Sequence, residues 1–132
     1  MTEPSKHTDD IQKHLSRLKS EDYCYLTTTG RVSGRPHEIE IWFAIKDGTL
    51  YLLSGGGDRS DWVRNLRAHP QVTVRIKEQT FTGRARIVHD EKEDLMVRYM
   101  LAEKYQGWRE GRPLSDWART ALPVALDVHR EE

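Results

Sequence analysis

The sequence predicts a mainly β protein with helices: six antiparallel strands closed into a barrel, with helices at the periphery. Three observations carry that expectation. Short runs have strand periodicity, as where Ile39, Ile41, Phe43 and Ile45 alternate with Glu38, Glu40, Trp42 and Ala44. Turn chemistry separates the runs, and Asp47-Gly48 between two apolar stretches is among the stronger short-range hairpin signals. Helical periodicity is confined to inserts, which argues against a parallel sheet, while closure removes the edges a small open sheet would expose.

The elements follow in chain order. Met1 to Lys6 reads as a polar tail, and Thr8 or Asp9 is placed to cap a helix carrying Ile11, Leu15 and Leu18 at helical spacing. Residues 22–29, with Tyr23, Tyr25, Leu26 and three threonines, suit a first strand ending at the Gly30 turn. Residues 37–45 form the second strand and 50–54 the third. Ser60 is a candidate N-cap for a helix through Ala68, with Trp62, Val63 and Leu66 as its apolar stripe and Pro70 as its stop. Val72, Val74 and Ile76 mark a fourth strand and residues 81–88 a fifth, paired antiparallel. Asp90 caps a helix to Tyr105, whose buried face is marked by Leu95, Tyr99 and Ala102 or by Met96 and Met100. After a break at residues 107–113, Ser115 to Arg119 makes a further helical turn. Residues 121–128 are the last strand, where Pro123 favours an edge or strand-start position.

Composition narrows the function. At 132 residues, 36% hydrophobic and 32% charged, the chain supports one core: a tail and helix over 1–20 and a barrel domain over 21–132. A core of this size encloses no deep site alone, so a homodimer is a compatible assembly. Zero net charge offers no general attraction to nucleic acid or an acidic membrane. Cys24 stands alone, so no internal disulfide forms, and the six histidines lack zinc-ligand spacing. No apolar leader core and no run of membrane-spanning length is present, and a cytoplasmic protein is expected. Ser33, Ser54 and Ser60 have no evident histidine and acid partners, which disfavours a nucleophilic hydrolase.

The chemistry-bearing segments are two loops bracketing one hairpin, TTTGRVSGRP and SGGGDRS. Gly30, Gly34, Gly55, Gly56 and Gly57 let backbone N–H groups approach a ligand, with positive φ expected at Gly56 and Gly57. Arg31, Arg35 and Arg59 add forked donors for phosphate or carboxylate. The glycines match neither the dinucleotide fingerprint nor the nucleoside triphosphate loop, so a phosphorylated cofactor must be held by another architecture.

In their order, TTTGRVSGRP, IEIWFAIKDGTLYLLSGGG, WVRNLRAHPQVTVRI and LPVALDV resemble the deazaflavin-dependent nitroreductases of the flavin/deazaflavin oxidoreductase superfamily, over residues 23–128. The resemblance implies a six-stranded split barrel of the FMN-binding, pyridoxamine phosphate oxidase-like kind. It also implies coenzyme F-420, a deazaflavin with a phospholactyl oligoglutamate tail. Arg31, Ser33 and Arg35 would meet the tail, Ser54, Gly55, Gly56 and Gly57 with Arg59 would cradle the phosphate, and Trp62 and Asn65 would support the adjacent helix. Family members often carry lysine where Val32 and Gly55 stand and proline near Ser60, departures that keep FMN as an alternative cofactor. The implied activity is hydride transfer from reduced F-420 to a small quinone, nitroaromatic or enone acceptor, the deazaflavin supplying the chemistry and the fold the orientation. Alternatives are an FMN-dependent oxidoreductase or a non-catalytic binder of flavin, deazaflavin or haem. Tyr99 and Tyr105, with Trp108 and either Trp42 or Tyr25, are candidates for an aromatic lid and a proton donor.

Overall fold

A computed structural model describes residues 4–129. The tail expected over Met1 to Lys6 lies outside those residues through position 3, and from Pro4 the chain is already helical: α1 spans Pro4–Leu18. Proline suits a first helical turn, where its missing N–H would lack a partner anyway. The strands are β1 (Cys24–Thr29), β2 (Pro36–Ile41), β3 (Ala44–Lys46), β4 (Thr49–Ser54), β5 (Gln71–Ile76), β6 (Gln79–Ile87) and β7 (Leu122–His129). Between them stand a 3-10 turn at Gly57–Arg59 and the helices α2 (Asp61–Ala68), α3 (Glu91–Gln106) and α4 (Asp116–Thr120).

Seven strands replace the six expected because the run from His37 to Ile45 breaks at Trp42 and Phe43. The strands form one antiparallel sheet in the order β2-β1-β5-β6-β7-β4-β3, so the two halves of the broken run occupy its opposite edges. Ile41 and Ala44 are three residues apart and span at most about 11 Å. Seven strands laid flat would separate those edges by nearly 30 Å. The sheet therefore curls until its two edge strands approach each other where the chain passes from Ile41 to Ala44, and the break is the seam of a split barrel.

The alternation of each strand shows which faces are covered. Along β1 the burial pattern alternates, with Cys24, Leu26 and Thr28 turned inward. In β4 both faces are buried: Leu50 and Leu52 join the barrel core with Val74, Phe81 and Leu126, while Tyr51 and Leu53 join a second cluster with Val97, Leu101 and Ala125 under α3. That two-sided burial explains why Leu50 to Leu53 shows no polar alternation. Asp47 and Gly48, with φ of 51° and 80°, make the β3–β4 turn as expected. Pro123 is tolerated in a central strand because it is the second residue of β7.

Asp90 caps α3, its carboxylate accepting from the Glu93 N–H at 2.9 Å, and Ser115 caps α4, accepting from the Ala118 N–H at 3.1 Å. The buried face of α3 overlaps both stripes read from the sequence but is centred on residues neither named, with Met96 and Met100 packed partly buried beside it. It consists of Val97, Leu101 and Ala102, leaving Leu95 52% and Tyr99 37% exposed. Cys24 is fully buried, and loss of solvation pushes its thiol up to about 12, which suits a small core filler rather than a nucleophile.

Candidate functional site

The first loop joins β1 to β2 and is closed by its own backbone: the Gly30 N–H donates to the Arg35 carbonyl at 2.8 Å and the Gly34 N–H to the Gly30 carbonyl at 2.9 Å. A Cβ at position 30 would lie 2.6 Å from Ser33 Oγ and 2.7 Å from His37 Nε2, so a side chain there would have to displace those two side-chain tips. Ser33 Oγ accepts from the Arg35 N–H at 3.1 Å, while the Arg35 side chain is exposed. Arg31 turns toward α2. Its backbone N–H and its Nη1 both donate to Asn65 Oδ1, at 3.1 and 2.8 Å, and its Nη2 donates to Asp61 Oδ1 at 3.2 Å. Asn65, only 4% exposed, in turn donates to Thr28 Oγ1 at 3.3 Å. A cavity of about 490 Å³ opens here, with Gly30, Arg31, Ser33, Trp62 and Asn65 among its walls.

The second loop joins β4 to α2. Ser54 Oγ donates to the Gly57 carbonyl at 2.9 Å and lies 2.8 Å from Ser60 Oγ, so the single Ser60 hydroxyl proton goes to Ser54. Ser60 thus occupies the N-cap position of α2 without capping it, contrary to the sequence reading. The first-turn N–H groups of α2 have no side-chain acceptor, a setting that favours an anion. The left-handed backbone expected at both Gly56 and Gly57 occurs at Gly57 alone, with φ of 64° against −81° at Gly56. A Cβ at Gly56 would stand 2.5 Å from Ser60 Oγ and would have to turn that hydroxyl away from Ser54. Arg59 is exposed, and Gly55 lies against the Trp117 ring, where a Cβ would sit 3.4 Å from Cδ1.

The aromatic residues do not gather into one lid. Trp42 stacks on Tyr105 with ring centres 4.4 Å apart and planes within 4°, and it meets Trp117 edge-on at 5.4 Å. Tyr99 packs on Trp108 at 4.6 Å, on the outer side of α3. Six residues advance a helix by about 600°, so Tyr99 and Tyr105 lie about 120° apart around α3. Tyr25 is separate again, donating to Glu40 Oε1 at 2.8 Å. Trp42, Trp117, Leu53, Tyr23 and Gln106 line a second cavity of about 480 Å³. Trp117 and Gln106 had no signal in the sequence, where they occur in segments far from Trp42.

The Tyr105 hydroxyl is engaged by the chain itself. It accepts from the Phe43 N–H at 3.0 Å and has the Phe43 and Asp22 carbonyls within reach of its proton, each at 2.9 Å. Burial pushes its pKa up to about 12, so it keeps that proton at any working pH. Lys104 donates to the same Phe43 carbonyl at 2.9 Å and sits 3.8 Å over the Phe43 ring, with burial lowering its pKa to about 8. Together they supply the backbone partners that Phe43 gives up by leaving the ladder.

Leu53, just before the second loop, lines the aromatic cavity, and Asp61, Trp62 and Asn65, just after it, line the cavity beside the first loop. An antiparallel sheet that begins and ends on the two halves of one strand, with such a loop pair at its side, places the protein among the FMN-binding split barrels, the pyridoxamine phosphate oxidase-like class. Within that class the chain belongs to the F-420H(2)-dependent quinone reductase family, whose model matches residues 6–125. As a member of that family it is an F-420-dependent reductase, and coenzyme F-420 is its cofactor.

Solved structures with the same fold include a conserved hypothetical protein from Mycobacterium tuberculosis, 22% identical, covering 98% of this chain and 82% of that one with a TM-score of 0.67. An F-420-H2 dependent reductase is 23% identical, covering 79% of this chain and 92% of its own with a TM-score of 0.60. The haem storage protein HutZ from Vibrio cholerae is 17% identical over 92% of both chains, with a TM-score of 0.67. None of the described helices is long and apolar enough to cross a membrane.

Proposed function

We propose that the protein transfers hydride from reduced F-420 to a small planar acceptor of quinone, nitroaromatic or enone type, seated in the cavity walled by Trp42 and Trp117. The observation that carries this reading is that the Ser54–Ser60 loop connects Leu53, in the wall of the aromatic cavity, to Asp61, Trp62 and Asn65, in the wall of a polar cavity that also holds Arg31 and Ser33. A cofactor with a flat ring, a phosphate and a carboxylate tail needs those three surroundings in that succession. The uncapped start of α2, together with the backbone of Gly55 to Gly57 and with Arg59, suits the phosphate. Arg31 uses two of its five guanidinium N–H groups on Asn65 and Asp61, and with Ser33 and Arg35 it offers the remainder to tail carboxylates. Asn65 and Trp62 hold the helix that carries this surface.

When bound, the deazaflavin supplies the two-electron hydride. The protein's part is orientation and exclusion of water by Trp42, Trp117 and Leu53. Neither tyrosine of α3 is assigned a proton-donor role: Tyr105 is bonded to backbone, and Tyr99 faces away from the aromatic cavity. A homodimer is the assembly this reading favours, because a second copy would cover the open side where Tyr23 remains 47% exposed. The deciding experiment mixes the protein with reduced F-420 and follows its oxidation with and without menadione, nitroimidazole or cyclohexenone. Acceptor-dependent oxidation is expected. Tight F-420 binding with no oxidation by any acceptor would mark a carrier instead.

A further inference from the structure

We infer that Glu40 makes the aromatic cavity selective by charge, admitting neutral planar acceptors and repelling anionic ones. The inference rests on the reading that acceptors enter this cavity. Its walls are aromatic or aliphatic apart from Gln106 and Glu40, and Glu40 is the one charged side chain among them. Glu40 lies on the β2 edge of the seam, two residues before Trp42, directly across the β1–β2 ladder from Tyr25. The Tyr25 hydroxyl donates to Glu40 Oε1 at 2.8 Å and so fixes the carboxylate. That bond raises the Tyr25 pKa, which keeps the tyrosine a neutral donor.

Among the described residues no cation forms an ion pair with Glu40. Arg75, on the neighbouring β5, lies over the Tyr25 ring with its guanidinium carbon 4.3 Å from the centroid, and its ion pair is with Glu38 at 4.0 Å. A fixed carboxylate beside low-dielectric aromatic walls projects its field into the opening. An approaching sulfonate or carboxylate meets repulsion, whereas a neutral ring meets only the apolar surface of Trp42, Trp117 and Leu53. Because Glu40 is exposed, the discrimination should be modest, about three- to tenfold, and salt should weaken it.

The test compares 1,4-naphthoquinone with its 2-sulfonate. Affinity is measured by equilibrium dialysis against protein saturated with oxidised F-420, and kcat/KM by consumption of reduced F-420. The sulfonate-to-neutral ratio should rise about three- to tenfold in Glu40→Gln, stay near wild type in Glu40→Asp, and lose most of that contrast in roughly 0.5 M salt. Thermal melts establish that each variant is folded. An unchanged ratio in folded Glu40→Gln, or failure of the neutral quinone to bind, overturns the inference. The two readings separate cleanly: turnover of both quinones with no Glu40 dependence leaves the reductase standing and removes charge selection. Glu40-dependent binding without any consumption of reduced cofactor does the reverse.

Discussion

Tyr105 stands in for a missing strand. Where β2 gives way to β3, the Phe43 N–H and C=O lose their ladder partners, and one phenol hydroxyl with one ammonium replaces them. Tyr105→Phe keeps the ring stacked on Trp42 but orphans the Phe43 N–H, which should cost about 1–3 kcal/mol. Denaturant melts should show that loss, and Tyr105→Leu, which also removes the stacking, should lose more. The hydroxyl looked like a proton donor in the sequence because a tyrosine before a glycine-rich break carries no mark of its partner. Phe43 is 62 residues away, and only the fold brings them together.

At the scale of elements, the β1–β2 loop and α2 behave as one unit joined through Arg31, Asn65 and Thr28. Arg31→Ala should weaken F-420 binding roughly tenfold or more, with a smaller effect at high salt and for cofactor bearing fewer glutamates. Fluorescence titration against tail length checks this, and an unchanged dissociation constant at low salt would remove Arg31 from the site. Both loops were legible in the sequence as turns, because glycine advertises turn geometry locally, and their arginines made them candidates for holding an anion. Most strands were legible for the same reason, since alternation and the Asp47-Gly48 turn are local signals. The break at Trp42 was not: residues 37–45 alternate through it without glycine or proline, and the groups that satisfy the backbone freed there, on Lys104 and Tyr105, lie 61 and 62 residues from Phe43. Ser60 was read correctly as the residue before α2, but its Oγ accepts from no helix N–H and is turned to Ser54 instead, an orientation that spacing does not reveal.

For the molecule as a whole, α3 is fastened to the sheet by a charged network. Arg86 donates to both Glu93 oxygens at 2.8 Å and to Asp127 at 2.8 Å, while the Tyr51 hydroxyl donates to Glu93 at 2.7 Å. The hydrogen bonds from Arg86 hold the Glu93 carboxyl down at about 2, against an ordinary 4.5. A lowered carboxyl pKa stabilises the fold fully above pH 4.5, and that contribution is lost as pH falls toward 2. With Arg86 partly exposed, screening leaves about 1–2 kcal/mol. Urea unfolding at pH 7, 4 and 3 should show stability falling in wild type and a flatter profile in Glu93→Gln.

The placement of β4 also bears on how the chain is made. Its residues are buried on both faces, and its neighbour on one side is β7, with Thr49 and Asp127 78 residues apart. During synthesis β4 therefore emerges with only three-residue β3 to pair with, and the apolar stretch from Leu50 to Leu53 waits for nearly the whole of the remaining chain. Until β7 arrives, that open edge is a template for any other extended segment nearby. A chain ending at Gly107 should consequently aggregate on refolding while residues 1–132 do not, which light scattering on the two at equal concentration would check.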